Sequence, residues 1–274
     1  MGKKRLDVLL VERDLINTRE KAKRVIMAGL VFSGQDRLDK PGMKVSESIP
    51  LTVKGKDIPY VGRGGLKLEK AIRHFSISLK EKVVVDVGSS TGGFTDCALQ
   101  NGARLSFAID VGYNQLDWKL RNDDRVIVME RTNFRYVTPD MLNDEKPDFA
   151  AIDVSFISLK LILPVLKQLL KPDSDIIALI KPQFEAGREQ VGKKGIVHDK
   201  KVHLEVLENV IGYARREGYE LMGLTHSPIT GGDGNIEFLA HLGWEKEAES
   251  IQADISLNEA VEAAHRNFRE KKDT

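Results

Sequence analysis

The sequence predicts an α/β chain in two parts, a small α+β domain at the front and a larger Rossmann-like, doubly wound domain behind it. Three observations carry this. From residue 83 onward short β-branched runs alternate with helical patterns, the order of a mostly parallel sheet covered on both faces. The first run, Val83–Val87, breaks into Gly88-Ser89-Ser90-Thr91-Gly92-Gly93 and re-enters a helical pattern at Phe94, stopped by Asn101-Gly102. An acid, Asp110, stands at the end of the next run, 22 residues after Gly88. Glycines in a strand-to-helix turn let backbone approach a ligand, and the helix N-terminus supplies oriented N–H donors. A carboxylate at the next strand end falls near the ribose hydroxyls of an adenosine-containing ligand. An ordinary tight turn would look similar without that acid.

Composition narrows the classes. The 274 residues suffice for one large or two smaller cores, and the net charge is only +1. Residues 1–55, however, hold 12 Lys and Arg against 7 Asp and Glu, so positive charge gathers at the front. That asymmetry suggests nucleic-acid contact there. Cys97 is the only cysteine, which excludes an internal disulfide and a cysteine metal cluster. No His/Cys/Asp cluster suggests a metal, and His198 and His203 read as helix or loop surface. No run approaches the ~18 apolar residues of a membrane span, and no signal-peptide core opens the chain. The expectation is a soluble, cytoplasmic protein.

Taken in order, Leu6–Leu15 reads as a short amphipathic helix. Asn17 stands at an N-cap position with Glu20 three residues on, before a helix over Thr18–Ala28 that stops at Gly29. Arg19, Lys23 and Arg24 share its outer face, with Lys21 beside it. Strands are predicted at Val31–Ser33 and Ile49–Val53, with turns at Gly34-Gln35-Asp36 and Pro41-Gly42. Lys54–Gly62, containing Pro59, is the connector, which divides the chain into 1–55, a linker at 56–62, and 63–274. A helix from Arg63 to about His74 follows. Strands are then expected at Val83–Val87, Leu105–Asp110, Val126–Glu130, Phe149–Asp153 and Ile176–Ile180, with a helix at Leu159–Leu170. Pro182–Gly195 is a loop too long for a routine connection, fit for a lid or binding loop. A helix at Val202–Arg216, strands at Tyr219–Ser227 and Ile236–His241 around the Gly231-Gly232-Asp233-Gly234 turn, and a helix at Ser256–Glu270 complete the chain.

Four ionisable residues fall at the lip of this sheet. Lys67 precedes the glycine-rich strand, Asp153 ends the fourth strand, Lys181 ends the fifth and Glu237 begins the last. Ligands of open α/β sheets bind beyond the strands' carboxyl ends. A buried strand that terminates in lysine is costly unless the charge is paired or used.

Two resemblances extend this reading. Arg5-Leu6-Asp7, Thr18-Arg19-Glu20-Lys21-Ala22, Gly29-Leu30-Val31-Phe32-Ser33-Gly34 and Lys40-Pro41-Gly42 resemble the RNA-binding domain named after small-subunit ribosomal protein S-four. On that likeness Arg5, Arg19, Lys21, Lys23, Arg24 and Arg63 are the candidate RNA contacts. Lys67, Asp153, Lys181 and Glu237, each in its local motif, resemble the Lys-Asp-Lys-Glu tetrad of FtsJ-type RNA 2′-O-methyltransferases. Together the two parts are similar to the TlyA family of ribosomal RNA cytidine 2′-O-methyltransferases, whose members are often labelled haemolysins. The resemblance implies a class I methyltransferase domain, S-adenosylmethionine as cofactor, no metal, and ribosomal RNA within ribosomal subunits as partner. It makes Lys181 the proton acceptor, oriented by Asp153, with Lys67 and Glu237 positioning. Gly88, Ser90, Thr91, Gly92, Gly93 and Phe94 would hold the methionine end, with Asp86 near its ammonium. Asp110 would take the ribose hydroxyls, and Thr132 and Asn133 the adenine side. A non-catalytic RNA-binding regulator and a membrane-active haemolysin are the alternatives; the sequence shows no insertion segment for the latter. Oligomeric state is not legible.

Overall fold

The computed structural model describes all residues except 1, 28, 54–57, 144, 232–233, 247–255 and 271–274. The chain divides into two units, residues 1–65 and 66–274.

In the first unit β1 (Lys3–Arg5) leads directly into α1 (Leu6–Glu12), and α2 (Arg19–Met27) follows. The strands β2 (Val31–Ser33), β3 (Asp36–Arg37), β4 (Lys44–Ser46) and β5 (Thr52–Val53) complete it. β1 pairs with β4, while β2 lies between β3 and β5. Leu6, Leu10, Ala22, Ile26 and Val31 form the centre of one apolar core. The expected helix to Leu15 ends early because Asp14 turns left-handed, and Arg13 donates to the Ile49 carbonyl at 2.6 Å. Thr18, not Asn17, caps α2: its hydroxyl accepts from the Lys21 amide at 3.2 Å. Glu20 therefore stands in the helix's first turn rather than in a capping box. β1 and β4 escaped the sequence reading because three-residue polar strands carry no periodic signal.

The second unit is built on one sheet. Its elements are α3 (Gly64–His74), whose first two residues fall before the boundary, β6 (Val83–Val87), α4 (Gly93–Gln100), β7 (Leu105–Ile109), α5 (Trp118–Arg121) and β8 (Val126–Met129). They continue as β9 (Phe149–Ile152), α6 (Leu163–Leu169), β10 (Ser174–Ile180), α7 (Pro182–Glu185), α8 (Lys200–Arg216), β11 (Tyr219–His226), β12 (Phe238–Trp244) and α9 (Leu257–Glu270). The strand order is β11-β12-β10-β9-β6-β7-β8. From β10 to β8 every pairing is parallel; β12 is antiparallel to both of its neighbours. β6 is buried at every position, as a central strand covered on both faces must be.

The second unit departs from the sequence reading at four places. The helix at Leu159–Leu170 starts as a 3₁₀ turn, Leu159–Leu161, and becomes α-helical only at Leu163. Pro164 lacks an amide donor and fits only a first turn. The segment after β10 is not structureless: α7, a 3₁₀ turn at Arg188–Gln190 and a tight turn closed by Gly192 N donating to Ile196 O fill it. The last strand begins at Phe238, so Glu237 precedes it. His203 is fully buried rather than on the surface, because α9 packs on α8 and His265 lies 2.9 Å from its ring. Ala28 at the expected end of α2, residues 54–57 of the connector, and Gly232 and Asp233 of the glycine turn lie outside the described residues.

Candidate active site

The parallel strands β9 and β10 deliver their carboxyl ends to one rim, which places Asp153 and Lys181 side by side. β12 runs the other way and pairs Phe238 with Ile180, so its beginning arrives at that same rim. Glu237 is thereby set beside residues that are far away in sequence. Lys67 comes from α3. Lys181 Nζ lies 2.6 Å from Asp153 Oδ1, and Lys67 Nζ lies 3.5 Å from Asp153 Oδ2 and 2.7 Å from Glu237 Oε2. The Lys67–Glu237 contact is an ion pair more than a directional bond, since Glu237 Oε2 has no partner in hydrogen-bonding geometry among the described residues. Lys181 also donates to Ser155 Oγ at 2.9 Å. The four side chains form one chain of alternating charge, Lys181–Asp153–Lys67–Glu237.

Burial makes the arrangement consequential. Lys67, Lys181 and Glu237 are each under 9% exposed. Charges this far from water are costly unless paired. Burial alone would raise the Asp153 carboxyl, but the Lys67 and Lys181 ammonium groups prevail and hold it below its ordinary value.

The glycine-rich turn adjoins this cluster. Gly88 (φ +85°) sits so close to the end of β9 that a Cβ would lie 2.6 Å from the Asp153 carbonyl. Gly92, also left-handed, precedes α4; a Cβ there would meet Leu120 at 2.2 Å. Ser90 adopts φ 48° and donates its amide to Asp110 Oδ2 at 2.8 Å, while Asp110 Oδ1 accepts from Gly112 N at 2.7 Å. Asp110 thus ties the turn to the end of β7. Thr91 is half-buried at the turn, whereas Gly93 and Phe94 are buried in α4.

Asp86 occupies a supporting place. It is wholly buried, and its Oδ2 accepts from both the amide and the hydroxyl of Thr95 in α4, at 3.0 and 2.7 Å. Its Oδ1 has no partner among the described residues. Burial, opposed by the Thr95 bonds and reinforced by Asp153 and Asp110, pushes this carboxyl up to about 7. Thr132 and Asn133 follow β8 and are half-buried; Thr132 N donates to Asp110 O at 2.9 Å, and Asn133 caps the 3₁₀ turn Phe134–Tyr136.

Several participants were missed by sequence reasoning. Phe156, 89% exposed, holds a left-handed φ of 63° three residues after Asp153 and lies 4.9 Å from the ring of Phe184. Glu185 fixes that loop by accepting from Ser158 Oγ at 2.6 Å and Leu159 N at 2.7 Å. Phe156 and Phe184 thus present an exposed aromatic surface, with Lys181 Nζ 5.9 Å from the Phe184 ring. The only sequence signal was an aromatic residue in each of two strand-end segments.

In the first unit, the buried Asp7 carboxylate gathers two of the expected RNA contacts. Arg5 binds it with two bonds of 2.9 Å, and Arg19 with one of 3.1 Å. The Arg5 bonds first, then Arg19, overcome burial and hold Asp7 at about 2. Both guanidiniums stay exposed, so their remaining N–H groups still face solvent. Lys21 and Arg24 line a concavity with Val25, Ile58, Tyr60 and Gly62. Lys23 and Arg63 are half-buried.

Fold and site define the class: an α/β methyltransferase with a buried Lys-Asp-Lys-Glu cluster beside a glycine-rich turn. The chain belongs to the FtsJ-like methyltransferase family, whose profile matches residues 60–244, and it carries an S4 domain over residues 4–48. It is 64% identical to the Bacillus subtilis (strain 168) protein named "Putative rRNA methyltransferase YqxC", over 98% of this chain and 97% of that one. It is 39% identical to the 16S/23S rRNA (cytidine-2′-O)-methyltransferase TlyA of Mycobacterium tuberculosis, over 97% of each chain. A solved structure titled "Putative hemolysin from Streptococcus thermophilus" is 50% identical and superposes with a TM-score of 0.80 over all of both chains. Among the described residues no group of His, Cys, Asp and Glu could hold a metal, and no helix is long and apolar enough to cross a membrane.

Proposed function

We propose that this enzyme transfers a methyl group from S-adenosylmethionine to the 2′-hydroxyl of a cytidine ribose in ribosomal RNA, acting on ribosomal subunits. The observation that carries the reading is the Lys67–Asp153–Lys181–Glu237 cluster beside the glycine-rich turn. The names of the relatives support the ribosomal substrate and the cytidine ribose.

The donor set fits the cofactor. Asp86, Asp110 and Asp153 stand at or near the carboxyl ends of β6, β7 and β9, a set of acids suited to a ligand bearing both a sulfonium and an ammonium. The turn from Gly88 to Gly93 would hold the methionine end, with Asp86 bracing it through Thr95. Asp110 would take the ribose, and Thr132 with Asn133 the adenine side. When bound, S-adenosylmethionine supplies an electrophilic methyl group.

The protein's own groups handle the hydroxyl. A ribose 2′-OH is a weak nucleophile and must lose its proton as the new C–O bond forms. Lys181 accepts it in its unprotonated form, whose amine nitrogen, placed at the rim by Asp153 Oδ1 and Ser155 Oγ, has a lone pair to take the proton. Asp153 compensates both lysines, and Glu237 fixes Lys67. Pre-set charges in a site shielded from water act without reorganising during reaction. Phe156 offers its face to the target base.

The test is methyl transfer to purified ribosomal subunits, with the product mapped by nucleotide. Lys181→Ala should retain cofactor binding and lose at least ~100-fold in rate, the scale of a general base. Lys181→Arg should fail equally, since a guanidinium stays protonated. An active Lys181→Arg enzyme would overturn the proton-acceptor role, and methylation of a base rather than a ribose would overturn the reaction.

A further inference from the structure

The segment between β10 and α8 comes back against the loop that delivers Glu237, and the buried side chain of Asn235 bonds to it at two points. Asn235 is 2% exposed. Its Nδ2 donates to the Gly195 carbonyl at 2.9 Å, and its Oδ1 accepts from the Val197 amide at 3.0 Å. The amide therefore reads the backbone on both sides of Ile196, as a neighbouring strand would, with donor and acceptor both satisfied. Asparagine carries an NH₂ donor and a carbonyl acceptor side by side at any pH, and this double contact uses both. The far side of the junction is equally tied down. Gly192 N donates to Ile196 O and Gly195 N to Gly192 O, closing a turn whose apex carries the exposed Lys193 and Lys194. Val197 O contacts the buried His203 ring at 3.2 Å.

Towards the charged cluster, the backbone of Asn235 accepts from Gly231 N at 2.9 Å, and Glu237 O accepts from Ser227 N at 2.8 Å. Gly231 packs so tightly that a Cβ would lie 2.5 Å from Glu237 Oε1. Asn235 and Glu237 are two residues apart on one short segment. The position of the Glu237 carboxylate, 2.7 Å from Lys67 Nζ, thus depends on how that segment is held.

We propose that Asn235 is a positioning residue for methyl transfer: it fastens the Glu237 segment to the 192–197 turn and so sets the Glu237–Lys67 ion pair. It touches neither substrate nor the reacting atoms. Its effect passes through Glu237, and the inference rests on the methyl-transfer reading above. Losing the clamp frees the segment that carries the carboxylate, and a misplacement of about 1 Å is enough to slow an oriented reaction by on the order of 100-fold.

The experiment first establishes that the native full-length protein methylates ribosomal subunits; failure at this step rejects the functional reading itself. With activity in hand, Asn235→Ala should lower kcat at least ~10-fold, with the KM for S-adenosylmethionine within about 2-fold of native. A residue serving only stability would instead lower the melting temperature and leave kcat intact below it. The decisive readout is a double-mutant cycle. If Asn235 acts through Glu237, the pair Asn235→Ala with Glu237→Gln should have nearly the kcat of Glu237→Gln alone. Multiplicative losses would overturn the proposal, as would native kcat in Asn235→Ala. Gly195→Ala guards against misfolding at position 235. Its Cβ enters open space, but φ of +71° strains the turn, so it loosens the clamp from the other side. It should reproduce the kcat loss in weaker form, and native kcat there would count against the turn's part in the mechanism.

Discussion

Asp86 shows how a side chain expected near a ligand from sequence can also hold two elements of the fold together. An acid inside the strand before the glycine-rich turn was legible, but its pairing with Thr95 makes it the brace between β6 and α4. A carboxyl lifted to about 7 against 3.8 in the unfolded chain favours folding only while protonated. Its contribution is present below about pH 3.8 and is lost as the pH rises through about 7. Asp86→Asn keeps an acceptor for Thr95 and removes the titration. In the ligand-free protein it should be more stable than native at pH 8, by on the order of 2 kcal/mol, with the difference shrinking as the pH falls towards 4. Thermal unfolding at several pH values checks this; a pH-independent difference would assign the effect to packing instead.

Among the elements, the turn between β6 and α4 depends most sharply on residue type. Gly88 is required on two counts, a positive φ and the approach of the Asp153 carbonyl. That carbonyl is backbone at the end of a buried strand and cannot step aside. Gly88→Ala should cost roughly 2–4 kcal/mol, the sum of left-handed strain and overpacking, and should displace Asp153 from Lys181. Denaturant unfolding gives the stability, and cofactor titration shows whether the turn survives. Full stability in the variant would mean that the end of β9 can retreat.

At the scale of the whole molecule, two units fold around separate apolar cores, one of them carrying the excess positive charge. Charge reversal of Lys21, Lys23 and Arg24 should weaken binding to ribosomal RNA and flatten its dependence on salt, by about one unit of log–log slope for each phosphate no longer neutralised. Cofactor affinity should stay at the native value. Arg5 and Arg19 are poorer test positions, because reversing either also strands the buried Asp7 carboxylate. Filter binding at several salt concentrations separates the contributions, and an unchanged slope would make α2 a solvated face.

The fold class, the glycine-rich turn and the four charged residues of the cluster were all legible in the sequence. Those features are local: β-branched runs bury a strand, Gly88 and Gly92 take conformations other residues avoid, and each tetrad member sits in a recognisable short motif. Which residues meet is settled only in three dimensions. The antiparallel insertion of β12 brings Glu237 to the rim where β10 ends, and no pattern within residues 236–244 announces that direction. The folded chain also assigns Asn235 to the 192–197 turn, Glu185 to the Phe156 loop, Asp7 to two arginines and His203 to the interior. Each of these is a polar side chain whose cost of burial is met by a partner outside its own element. Periodicity records which face of an element is apolar, but not which remote group will satisfy a buried donor or acceptor.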